Sequence, residues 1–225
     1  LEDMGDMPNY NDWIVSQFST KLVGRTAEIG AGLGTISERL RPFVDQLDLI
    51  EPTQVLAERL REKFAGDERC TVTEQTLESW INATPDEIYN AIVMVNVLEH
   101  IEDDQAAARG LFATIKPGGK LLIFVPALPL LYSELDRIYG HFRRYRQKDL
   151  RKCIETAGFR IERLRYFDIT GVFPWWLLNT VIGKTSFHQP SLTVYDKILV
   201  PPTRLFESIM PPPLGKNLIL IASKD

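Results

Sequence analysis
The chain has 225 residues, 44% of them hydrophobic and 25% charged, with a formal charge of −4. That is enough chain to bury a sizeable core, and the acidic balance argues against a general nucleic-acid binder, which needs a basic surface. The two cysteines, Cys70 and Cys153, form no C-x-x-C pair, so neither a disulfide framework nor a zinc site is expected. No signal peptide is read, and the most apolar stretch, residues 172–182, is too short to cross a bilayer; a cytoplasmic location is the default expectation.

Taken in order, the chain opens with Tyr10, Trp13, Ile14, Phe18 and Leu22 at roughly helical spacing. They suit a helix packed on the core, or else a lid bringing Tyr10 or Trp13 over a ligand. From residue 26 strands alternate with helices. Strands are expected at 26–29, 46–52, 70–74, 89–96, 120–125, 159–167 and 217–223. Helices are expected at 35–40, at 53–64 with Thr53 as cap and Val55, Leu56 and Leu60 inward, at 102–115, and at 147–157. Lys116-Pro117-Gly118-Gly119 reads as a turn, and residues 126–139 as a loop with a short helix. This alternation predicts an α/β, Rossmann-like, doubly wound and mostly parallel sheet with its ligand at the carboxyl ends of the strands. Residues 171–215, rich in proline and aromatics, form an insertion before the last strand. There Trp175-Trp176-Leu177-Leu178 suits core, a dimer surface or an interfacial patch touching lipid.

The stretch 26–35 is the pivot. Gly30, Gly32 and Gly34 free the backbone to lie bare against a ligand, with a helix start behind them. Their spacing is G-x-G-x-G, with Thr35 where a dinucleotide site has its third glycine, and no Lys-Ser or Lys-Thr pair closes a P-loop. Glu51, ending the second strand, can accept both ribose hydroxyls of an adenosine. Glu28 puts a second carboxylate beside the loop, which would repel a pyrophosphate but suit a ligand bearing sulfonium and ammonium groups. A loop-bracing role is its alternative.

Four segments in succession, Ala27-Glu28-Ile29-Gly30-Ala31-Gly32-Leu33-Gly34, Asp48-Leu49-Ile50-Glu51-Pro52, Val97-Leu98-Glu99-His100-Ile101-Glu102-Asp103 and Lys116-Pro117-Gly118-Gly119-Lys120-Leu121, resemble the motifs of class I S-adenosylmethionine-dependent methyltransferases. The resemblance covers about residues 22–127. It implies a seven-stranded sheet with an antiparallel last strand and S-adenosylmethionine as cofactor. It also implies that Gly30, Gly32 and Gly34 face the methionine part, Glu51 the ribose, Thr76 and Leu77 the adenine, and Asn96 the methionine moiety. Family members often carry an Asp near the adenine, where this chain has Gln75-Thr76. A single methyltransferase domain over 1–225 is expected, with a cofactor core at 22–127 and an acceptor side at 128–225.

On the acceptor side, Tyr139-Gly140-His141-Phe142-Arg143-Arg144-Tyr145 resembles a segment of a subset of these enzymes without fixing a substrate. Arg143 or Arg144 can clamp a carboxylate or phosphate of the acceptor, or Arg144 can pair an acid in the core. His141 is the candidate general base and acceptor contact. His100 suits bracing of the following helix, and His188 falls in a loop. No His/Asp/Glu set at metal-ligand spacing is read, so no metal is expected. Methyl transfer to an oxygen or nitrogen of a small molecule is the leading expectation, by a monomer or homodimer without nucleic-acid partners. The alternatives are a lipid-linked or glycan acceptor with peripheral membrane contact, an NAD-dependent oxidoreductase, or an inactive cofactor-binding module.

Overall fold
The computed structural model describes residues 7–186 and 189–225; His188 lies outside them. Seven strands form one sheet: β1 (Arg25–Ile29), β2 (Gln46–Ile50), β3 (Cys70–Thr73), β4 (Tyr89–Val95), β5 (Ile115–Pro126), β6 (Arg160–Phe167) and β7 (Asn217–Ser223), in the order β3-β2-β1-β4-β5-β7-β6. The first five are parallel, and β7 runs antiparallel to both β5 and β6. Thr73, Ile50, Ile29, Met94 and Ile123 stand side by side across the parallel strands. Because of that register the residues that follow, Gly30, Glu51 and Asn96 among them, emerge along one edge. Asn217 pairs with Pro126 and Phe167, so the segments after β5 and β6 reach the same edge.

Successive side chains of the central strands point to opposite faces, and both faces are covered. Ile92, Met94, Leu121, Ile123, Leu218 and Leu220 pack under α4 (Leu77–Ala83), α5 (Asp104–Thr114) and α7 (Gln147–Thr156). Val93, Leu122, Phe124, Ile219 and Ile221 pack against α1 (Pro8–Phe18), α2 (Ser37–Leu40) and α3 (Gln54–Lys63). Trp13 lies 3.8 Å, centroid to centroid, over Phe167, and Tyr10 and Phe124 meet that ring edge-on.

Several boundaries differ from the sequence expectation for identifiable reasons. The helix after the glycines is only Ser37–Leu40, because residues 31–36 are spent in turns. Thr53 heads α3 without a side-chain cap; its N–H is given to Glu51 instead. Val55 is exposed, and Ala57 with Leu60 forms the inner face of α3. Helix α4 had no counterpart in the sequence reading, although the Thr76 side chain caps it on the N–H of Ser79. The expected Lys116–Gly119 turn is drawn into β5 by bonds between Gly118, Gly119 and Lys224.

Between β5 and α7 lies α6 (Glu134–Ile138); the insertion beyond β6 opens with α8 (Val172–Trp175), which runs on as a π-helix, Trp176–Val181. Residues 189–209 are helical throughout: α9 (Gln189–Val194), a π segment Tyr195–Leu199, and α10 (Val200–Ile209). Pro201 and Pro202 have no N–H to give to carbonyls one turn back, which accounts for the widened ladder in front of them. Asp196 ties this helix to α1 by accepting the backbone N–H groups of Asn9 (3.2 Å) and Tyr10 (2.9 Å) and the Asn9 amide (3.0 Å). The carboxylate serves as a cap supplied from a distant part of the chain. Replacing Asp196 by Ala leaves the buried Tyr10 N–H without its acceptor, and urea denaturation is expected to show a loss of about 1–3 kcal/mol.

Candidate functional site
At the edge defined by the strand ends, the loop after β1 takes left-handed φ at Gly30 (+70°), Gly32 (+57°) and Gly34 (+75°). A Cβ at Gly30 would sit 2.5 Å from Val97, and one at Gly34 2.9 Å from Leu60, so these two glycines let the loop close onto its neighbours. Gly32 is different: a Cβ there meets nothing nearer than the Gly30 carbonyl at 4.0 Å and would project into open space. It presents bare main chain to a ligand. Glu51 holds this loop, accepting the N–H of Gly32 (2.9 Å) and, through its other oxygen, that of Thr53 (3.0 Å). Each carboxylate oxygen keeps a second lone pair for an outside donor such as a ribose hydroxyl.

Glu28 is buried in β1, and one of its oxygens has no hydrogen-bond partner. Burial, with the Glu51 charge adding to it, pushes its pKa up to about 8. Asn96 turns the chain out of β4 at φ +53°, its N–H bonded to the Phe124 carbonyl at 2.8 Å. Thr76 is exposed and Leu77 buried at the start of α4, beyond the end of β3. Tyr10, expected as a lid contact, is fully buried, its hydroxyl hydrogen-bonded to Asp168 (3.0 Å) and Asn217 (3.1 Å). With no exposed surface it lines no open cleft. Trp13 is likewise core.

The segment containing His141 is tied down along its length. His141 donates its backbone N–H to Asp136, Phe142 donates to the Glu99 carbonyl, and Tyr145 to Pro126. Arg143 pairs with Asp104 (2.8 Å) and donates to the Glu102 carbonyl. Arg144 is buried, pairs with Asp136 (2.8 Å) and lies 4.5 Å over the Trp175 ring. Both guanidinium groups are thus engaged inside the protein and not held free as acceptor clamps; Arg144 pairs an acid in the core, the other reading that the sequence offered for it. Asp136 also accepts His141 Nδ1 at 3.0 Å and the N–H and hydroxyl of Ser133. Burial alone would raise Asp136, but the hydrogen bond from His141 and the charge of Arg144 hold it below its ordinary value. An ionised Asp136 fixes the proton on Nδ1 and leaves Nε2 as the basic nitrogen. The His141 side chain is 12% exposed.

The fold brings His100, edge-on to His141 at 4.6 Å, and Glu99 into the same cluster, with one ligand atom of each of the three within 4.8 Å of the others. No such set was expected from the sequence, because Glu99 and His141 lie on separate segments. Burial and the neighbouring His141 push His100 down to about 4, and burial raises Glu99 to about 8. Both Glu99 oxygens are buried without partners. A neutral Glu99 beside the Arg144 charge makes a poor seat for a divalent cation. Asp136 and Asp168 are buried acids at the centre of these contacts that the sequence did not single out. Asp168 (φ +65°) receives Tyr10, Tyr195, the Gly171 N–H and, at 3.2 Å, Lys216. The available signal was Ser133, three residues before Asp136 in a capping-box spacing.

The profile of the methyltransferase-domain family matches residues 6–164. The chain therefore belongs to this family of class I S-adenosylmethionine-dependent methyltransferases, which sets the NAD reading aside. A ubiquinone biosynthesis O-methyltransferase from Aeromonas salmonicida is 30% identical over 116 residues, 50% of this chain and 47% of that protein. The match thus spans about half the length of that relative. A methyltransferase structure from Bacillus halodurans superposes with a TM-score of 0.62 at 19% identity, covering 89% of this chain and 92% of the other. Phosphoethanolamine N-methyltransferase 2 of Haemonchus contortus, solved with S-adenosyl-L-methionine, gives 0.66 at 17% identity, covering 96% and 52%. The bare main chain at Gly32 and the free lone pairs of Glu51 fit this cofactor.

The raised carboxyls set a pH dependence. Each is protonated in the folded state at pH values where the unfolded chain, at about 4.5, has released its proton. Their stabilisation is complete below that value and is lost as pH rises through about 8. Melting temperature should fall from pH 5 to 9, and Glu28→Gln with Glu99→Gln should flatten the slope. An unchanged slope in the double variant would contradict the assignment.

Proposed function
We propose that the chain transfers a methyl group from S-adenosylmethionine to an oxygen or nitrogen of a small-molecule acceptor. When bound, the cofactor supplies an electrophilic methyl group on a sulfonium. Gly30, Gly32 and Gly34 receive its methionine part with Asn96 alongside, Glu51 accepts the ribose hydroxyls, and Thr76 with Leu77 borders the adenine. Glu28 offers a carboxyl that can ionise when a cationic group arrives beside it. Residues 128–225 form the acceptor side.

The observation that carries the chemical reading is the Asp136–His141 pair, 3.0 Å apart, on the segment packed against the loop after β4. Alignment for in-line displacement can supply about 7–11 kcal/mol, and a general base adds about 10²–10⁴-fold. His141 Nε2 takes the acceptor proton, and Asp136 holds the ring in the required tautomer. Arg143 and Arg144 shape the acceptor side through their ion pairs and do not clamp the acceptor. A lipid-linked acceptor is the second reading, favoured by the exposed apolar side chains of residues 173–214.

Calorimetry with S-adenosylhomocysteine tests the cofactor half: Glu51→Ala should weaken binding at least about tenfold, near the loss of a charged hydrogen bond, and Gly32→Val should also weaken it. An unaffected Glu51→Ala would refute the ribose assignment. Labelled cofactor with a metabolite extract tests turnover. His141→Ala should then lower turnover by about 10²–10⁴-fold while leaving S-adenosylhomocysteine affinity intact; equal turnover would remove the base.

A further inference from the structure
The helix over residues 189–209 is inside out. Its inward face carries Asp196, Thr203 and Glu207, all buried, with Val200 the buried apolar residue among them. Asp196 caps α1, Thr203 Oγ1 lies 3.0 Å from Thr170 Oγ1, and Glu207 accepts the Ile169 N–H at 2.9 Å. Val194, Ile198, Leu205 and Ile209, at i, i+4, i+11 and i+15, share the outward face and are 53–79% exposed. A surface helix of a water-soluble domain has the opposite polarity. Beside it, Phe173 and Trp176 stand exposed 6.1 Å apart on the other helical limb of the insertion.

The charges of this region have one sign at the surface. Between residues 172 and 216 the only acids are Asp196 and Glu207, both turned inward, while Lys184, Lys197 and Arg204 are exposed. Lys197 and Arg204 are seven residues apart and so flank the apolar stripe on one side. The chain as a whole has a formal charge of −4, so this local cationic rim runs against its overall balance. Among the described residues no helix is long and apolar enough to cross a membrane. We propose that residues 172–186 and 189–209 dock in the interface of an anionic phospholipid bilayer, the apolar stripe and the Phe173–Trp176 pair entering the acyl boundary and Lys184, Lys197 and Arg204 meeting headgroup phosphates. A cavity of about 180 Å³ is lined by Trp175 and Leu178 of one limb, by Leu192 and Tyr195 of the other, and by Lys216.

Flotation of the whole chain with phosphatidylcholine vesicles, with and without phosphatidylglycerol, tests this at low and high salt. The expected result is co-flotation with the anionic vesicles at low salt, diminished at high salt. Ile198→Glu with Leu205→Glu should abolish it, and Lys197→Glu with Arg204→Glu should weaken it at least about tenfold. Absence of co-flotation at low salt overturns the proposal. It is also overturned if light scattering shows a dimer that Ile198→Glu with Leu205→Glu converts to monomer, because the stripe then covers a second copy. Unchanged S-adenosylhomocysteine affinity in both variants shows that they are folded and keeps this test separate from that of the cofactor site.

Discussion
The bond from the Gly32 N–H to Glu51 joins the ends of two neighbouring strands and sets the shape of the cofactor side. β1 and β2 are in register through Ile29 and Ile50, so the carboxylate that follows one strand lies beside the glycine loop that follows the other. Glu51 uses one lone pair of each oxygen to hold backbone and keeps the others outward. The loop is thereby preorganised without a side chain of its own, which spares a ligand the cost of ordering it. The tight approaches of Gly30 to Val97 and of Gly34 to Leu60 fix the loop against the segment after β4 and against α3, leaving Gly32 open.

Asp136 has the equivalent place in the segment proposed to face the acceptor. One buried carboxylate gathers Ser133, His141 and Arg144, and Arg144 in turn lies over Trp175. A carboxylate so placed is ionised only because its partners offset burial. Its charge orients His141, while Glu99, whose buried carboxyl oxygens have no hydrogen-bond partner, keeps its proton. Neighbouring acids thus hold opposite protonation states for reasons visible in their contacts.

The insertion follows a different rule. Asp196 and Glu207 attach it to α1 and to the turn after β6, and Val200 joins the core, while Val194, Ile198, Leu205 and Ile209 are left outside. Hydrogen bonding to buried partners stabilises that arrangement within the molecule, but nothing in the described chain covers the apolar stripe. Asp168 links the two regions, since Tyr10 of α1, Tyr195 of the insertion and Lys216 before β7 all converge on it.

The strands and the glycine loop were legible in the chain because they rest on local signals: continuous apolar runs, glycine spacing and a carboxylate closing the second strand. The mostly parallel sheet follows from those signals, while the antiparallel last strand and the cofactor follow from the family resemblance that the four motifs carry. The helix after Thr76 was missed because its cap and short apolar pattern are weak over seven residues. The site around His141 was legible only in part. Sequence could name His141, Arg143 and Arg144, but their partners Asp136, Asp104 and Glu99 are brought to them by the fold. The sequence by itself determined the sheet, the cradle and the cofactor class, since each depends on neighbours along the chain. Tertiary structure alone decided that Tyr10 is core, that the arginines are already paired, and that the last long helix turns its apolar side outward. Each of these depends on which surfaces meet in space, and periodicity reports that a helix has two faces without saying which one is buried.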